Sequence, residues 1–114
     1  MDPSKRRGHP RVSAGLITTL ELPDGRITVA ERLSNISLQG LFVEMTEPLP
    51  LGCEVGLEFK LPVAARIVRC RGLVVRTVTT PGGEEPPGIG LRLMDIGIAD
   101  MRVIAEYIEQ QLRF

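Results

Sequence analysis

The chain is short of aromatic and imidazole side chains: 114 residues contain no tryptophan, one tyrosine, three phenylalanines and one histidine. So few rings leave little for successive bases to stack on, which argues against an OB-type groove for single-stranded nucleic acid. The lone histidine, His9, sits beside Pro10. No triad or metal cluster can be built around it, a spacer role suits it better, and no catalytic residue, metal or cofactor is expected. Cysteine is equally sparse. Cys53 and Cys70 form neither a C-x-x-C pair nor a framework, and read as reduced thiols of a cytoplasmic protein. Fourteen basic and fourteen acidic residues cancel, so general affinity for nucleic acid or membrane surfaces is not expected. No apolar run approaches the roughly 18 residues needed to cross a bilayer. Nor does an apolar stretch follow the charged N-terminus, as a secretory signal requires; the Asn35-Ile36-Ser37 sequon is therefore idle.

What remains fits one domain over residues 1–114. Residues 1–11 carry Lys5, Arg6, Arg7 and Arg11 against Asp2 and are broken by Pro3, Gly8 and Pro10, which predicts a flexible basic arm. Residues 12–95 read as mainly β. Val12–Leu22 is rich in Val, Leu, Ile and Thr, and Leu22-Pro23-Asp24-Gly25 has the chemistry of a tight hairpin turn. Arg26–Ser34 returns, with Ile27, Val29 and Leu33 expected on one side. Leu41–Met45 is a short strand, and Glu54–Leu61 alternates cleanly until Pro62 stops it. Ala65–Thr79 is a long β run whose apolar face changes parity near Gly72, predicting a bulge or bend there. A loop over Thr80–Gly88 leads to a last strand, Ile89–Asp95. The period then changes: Met101, Ile104, Ala105, Ile108 and Leu112 recur at threes and fours, predicting an amphipathic helix over 98–113, capped near Asp100, that covers one end of a barrel.

The hairpin register links two motifs. If the turn centres near Asp24, paired residue numbers sum to about 47 or 48, so Arg11 lies beside Ile36 or Ser37 with Asn35 one step away. The basic arm is thereby brought to the polar segment Asn35-Ile36-Ser37-Leu38-Gln39-Gly40. Two other signals fail: Gly88-Ile89-Gly90 lacks a third glycine and opens a strand rather than a dinucleotide-binding helix, and Glu84-Glu85 reads as a solvated loop.

Arg6-Arg7-x-x-x-Arg11 together with Asn35-x-Ser37-x-x-Gly40 resembles the two-part signature of PilZ domains, bacterial receptors for cyclic di-GMP. Gly88-Ile89-Gly90-Leu91 is similar to the closing barrel strand of that family. The resemblance implies a six-stranded antiparallel PilZ-type β-barrel with a C-terminal helix. It also implies roles. Arg7 and Arg11 would hold guanine edges or phosphates through the guanidinium fork, and Asn35 would meet a guanine edge with donor and acceptor. Ser37 would offer a small hydroxyl, and Gly40 would let the backbone come close. Arg6, directly before the R-x-x-x-R, implies two stacked ligand molecules per protomer. The arm would order on binding and present a new surface to an unidentified protein effector, in motility, pili, polysaccharide export or transcription control. The rival expectation is a PilZ-like interaction module that no longer binds ligand.

Overall fold

The computed structural model describes residues 12–79 and 86–113. Among them are six strands: β1 (Val12–Glu21), β2 (Ile27–Ile36), β3 (Gly40–Glu44), β4 (Glu54–Leu61), β5 (Arg66–Val78) and β6 (Gly88–Met94). A helix, α1 (Ile98–Leu112), follows. All pairings are antiparallel, and the sheet closes on itself in the order β1-β2-β3-β6-β5-β4. Closure removes the open edges that a six-stranded sheet would otherwise expose.

The strands form because inward positions are apolar and outward ones polar. In β4, Val55, Leu57, Phe59 and Leu61 are all buried, as the alternation requires. Leu20, Leu33, Ile36, Val43, Val68, Ile89 and Leu91 complete the barrel interior. On the outside, cross-strand ion pairs join Arg69 to Glu58 at 2.7 Å and Arg71 to Glu54 at 3.4 Å. The β1–β2 turn is held by Leu22 and Arg26, with Gly25 at a positive φ of 91° that favours glycine. Arg26 ties the turn to Asp24 at 2.7 Å and to Glu47 at 2.8 Å.

The helix caps the core with Ile104, Tyr107 and Ile108. Its packing differs from the expected stripe, because Leu112 is more than half exposed while Tyr107, which the three-and-four reading left out, is buried. The cap falls near Asp100, as expected, but not on it. Gly97 is the N-cap and has no side chain to offer, while Asp100 lies in the first turn and bonds Arg66 at the start of β5, 2.6 Å away.

Two further expectations are corrected. Ile27 and Val29 face outward, each 62% exposed, and the core face of β2 is Ala30, Leu33 and Ile36. The pairing with β1 slips between Ala30 and Leu33, and that with β3 between Leu33 and Asn35. Each slip switches the face, so a period of two cannot be read through them. In β5 the parity does not change at Gly72, which is paired in register with both Val55 and Leu93. Glycine is there for space: a Cβ would meet the Leu57 and Leu91 side chains at 3.0 and 3.2 Å. The irregularity lies at Val75, between the Val74–Leu91 and Arg76–Gly90 pairs.

Candidate functional site

The Asn-x-Ser-x-x-Gly segment is the end of β2 and the tight connection into β3. Ser37 is buried to 2%. Its backbone N–H donates to the Gly40 carbonyl at 2.8 Å. Its hydroxyl accepts from the Gln39 and Gly40 amides at 3.2 and 3.3 Å and lies 3.3 Å from the Gly40 carbonyl. The serine is thus a turn-former that satisfies backbone groups so short a connection would leave unpaired. Gly40 faces the backbone of β6 so closely that a Cβ would overlap the Leu91 carbonyl oxygen. The Leu93 amide donates to the Gln39 carbonyl at 2.8 Å, fastening the turn to β6.

Asn35 stands on the outside of the barrel, half-buried, paired with Ser13 on one side and Phe42 on the other. Paired residue numbers sum to 48 at both ends of the hairpin, where Val12 is opposite Ile36 and Leu20 opposite Thr28. The start of β1 and the Asn-x-Ser-x-x-Gly turn therefore share one corner of the barrel. Arg6, Arg7 and Arg11, with the rest of the arm, lie outside the described residues, as does loop 80–85. Beside the turn, a cavity of about 400 Å³ opens between Leu38 and the C-terminal half of α1, lined also by Ala105, Ile108, Glu109, Leu112 and Arg113.

The PilZ domain family matches residues 5–110. The chain belongs to the PilZ domain family. Among solved PilZ-related structures it is similar to the Bacillus subtilis inhibitor of motility MotI/DgrA, at 25% identity and a TM-score of 0.75 over 95% of this chain and 52% of that one. It is also similar to Escherichia coli YcgR in complex with cyclic di-GMP, at 19% identity and a TM-score of 0.76 over 95% and 46%. The PilZ domain of YcgR with cyclic di-GMP matches at 20% identity and a TM-score of 0.69, over 95% of this chain and 92% of that domain. The chain thus spans about half the length of the first two proteins and nearly all of the isolated domain. No curated protein sequence matches it significantly.

Among the described residues no group of His, Cys, Asp and Glu is arranged to hold a metal, and no helix is long and apolar enough to cross a membrane. Cys70, packed against the core near Asp100, has its thiol pushed up to about 11, chiefly by burial and secondarily by the Asp100 charge. Burial also raises Cys53. Neither thiol is activated as a nucleophile.

Phe42 and Arg76 escape a reading of motifs alone, which takes Gly90 only as part of the closing strand. Phe42 is buried to 4% yet stands apart from the barrel core, with the Arg76 guanidinium carbon 5.8 Å from its ring centroid. The signal that could have located them was pairing, since all three lie in the same cross-strand row as Asn35.

Proposed function

We propose that this PilZ domain is a receptor for cyclic di-GMP, held by Arg6, Arg7 and Arg11 of the arm together with Asn35 and the Ser37–Gly40 turn. It relays the signal, without catalysis, to a protein effector by ordering of the arm. The observation that carries the reading is the hairpin register: Val12 opposite Ile36 and Ser13 opposite Asn35. The arginine motif ends one residue before Val12, so covalent continuity ties it to the corner where the turn is built. A ligand with two phosphodiester charges and two guanines suits arginine forks and an amide that both donates and accepts. The described complex of E. coli YcgR with cyclic di-GMP supports the same ligand. Arg6 before the R-x-x-x-R favours two stacked ligands per protomer.

The alternative, an interaction module without ligand, draws on the outward Ile17, Ile27 and Val29 of β1 and β2, which are 62–73% exposed. Isothermal titration separates the two. Saturable heat with cyclic di-GMP at micromolar concentration or below, and none with GTP or cyclic di-AMP, is expected. A ratio of two ligands per chain supports the stacked pair, and one per chain refutes it. No heat and no ligand-induced rise in melting temperature would leave the interaction module.

A further inference from the structure

Outward positions of an antiparallel barrel meet water and are ordinarily polar. On β4 and β5 that holds, where Arg69 and Arg71 bond Glu58 and Glu54. The wall around the β1–β2 hairpin departs from it. Ile17 is 73% exposed, Ile27 and Val29 62% each, and Ile67 on β5 46%. Single apolar residues on a surface are ordinary, whereas a contiguous patch marks an interaction site.

These four are contiguous. Ile27 and Val29 are successive outward positions of β2, and Val29 is paired with Thr19, the next outward residue after Ile17 on β1. Thr19 is paired with Glu58 on β4. The same register, continued by one outward position, sets Ile17 beside Lys60, and Lys60 is paired with Ile67. The alkyl stem of a lysine there adds apolar surface between the two isoleucines. Together the four side chains offer roughly 300 Å² of apolar surface, the size at which a patch on a monomer is often functional. That is the core of a small, reversible interface rather than of an obligate one.

The charges at its margins say what covers it. Glu21 and Lys60 are exposed, and neither side chain has an ion-pair partner among the described residues. They stand on opposite sides of the Val29–Thr19–Glu58 row, Glu21 level with Ile27 and Lys60 level with Ile67. A two-fold axis along that row lays two such walls face to face, with Val29 against Val29. It also turns the Glu21 side of each copy over the Lys60 side of the other. Each glutamate then lies one strand, about 5 Å, to the side of a lysine from the second copy, within reach of that flexible side chain. The pairing occurs twice by symmetry, so the wall is complementary to itself.

We propose that this wall is a homodimer interface, occupied by a second copy of the chain, with Ile17, Ile27, Val29 and Ile67 at its centre and Glu21 paired with Lys60 across it. The inference does not depend on the receptor reading. Ile17 lies roughly 13 Å along β1 from Ser13, at about 3.3 Å per residue, so the ligand corner stays open in both copies.

Sedimentation velocity of the whole chain without ligand, from micromolar to a few hundred micromolar, tests this. The mean mass of the unsubstituted protein should rise from that of a monomer towards that of a dimer. Ile17→Asp should stay monomeric, while Leu112→Ser, at an exposed leucine beside Leu38 on another face, should dimerise as the unsubstituted protein does. Glu21→Lys and Lys60→Glu should each weaken association by about tenfold or more, because like charges then face each other. Mixing the two variants, or combining both changes in one chain, should restore it. A monomer throughout the range overturns the proposal. So does a dimer indifferent to Ile17→Asp and to both charge reversals, which would use another face, or a loss that neither the mixture nor the double variant restores. Should Ile17→Asp fail to fold, the charge exchange carries the test alone, since both of its positions are exposed.

Discussion

Gly40 and Ser37 belong to the architecture of the corner before they belong to any ligand. Because a Cβ at Gly40 would overlap the Leu91 carbonyl, Gly40→Ala must push β3 away from β6. The expected cost is about 1–3 kcal/mol of folding stability without ligand, by analogy with overpacking; urea denaturation of the apo protein checks it. An unchanged midpoint would mean that the glycine serves only the ligand. Thr18 is the opposite case. It is fully buried in β1, and its hydroxyl is the one buried side-chain polar atom without a hydrogen-bond partner among the described residues. Thr18→Val keeps the shape and removes the unsatisfied group, so stability should rise by about 1 kcal/mol, read as a higher melting temperature. Arg7→Ala and Arg11→Ala act on binding instead. Each should cost about 1–3 kcal/mol of affinity for cyclic di-GMP if it makes a bidentate guanine contact, and retained affinity in the double variant would contradict the assignment.

At the scale of the element, a small apolar face and an ion pair to β5 hold α1 among the described residues. Arg66 and Asp100 meet at 2.6 Å, with Asp100 the more buried partner, in the first turn, where negative charge is also favoured by the helix dipole. Asp100→Ala should cost about 1 kcal/mol and speed amide exchange at the start of the helix before it affects β4 or β5. Cys70 lies on β5 near the same contact. Its thiol is raised in the folded state, from about 9 to about 11, so the neutral form is the one that folding favours. Its contribution is complete below pH 9 and is lost as the pH rises through 11. Denaturation at pH 8 and pH 10.5 should therefore show a larger alkaline loss in the unsubstituted protein than in Cys70→Ala; equal losses would show that the thiol is not desolvated.

For the whole molecule, a ligand that binds only the folded chain stabilises it by mass action, by about 2.7 kcal/mol at a hundredfold excess over Kd. The melting temperature should rise with cyclic di-GMP concentration. Affinity should also fall as salt is raised, because the charge on the arm, unlike the neutral total, is what an anion meets first. A salt-independent Kd would point to binding dominated by the barrel wall rather than by the arm.

Local chemistry in the sequence determined the six strands, the tight first turn and the clean inner face of β4, because each rests on neighbours one to four residues apart. It also determined the hairpin register, since turn geometry propagates along an antiparallel pair without further information. Three things were decided only in the closed barrel. The bulges of β2 and β5, which turn Ile27 and Val29 outward and bring Arg76 to the outer wall, compensate strand stagger around the whole ring. Ser37 and Gly40 became buried turn elements because β6 packs against them, a partner some fifty residues away in the chain. The row from Asn35 through Phe42 to Arg76 exists because β3, β6 and β5 are neighbours in space. No local pattern carries that adjacency: it follows from the closure of the sheet.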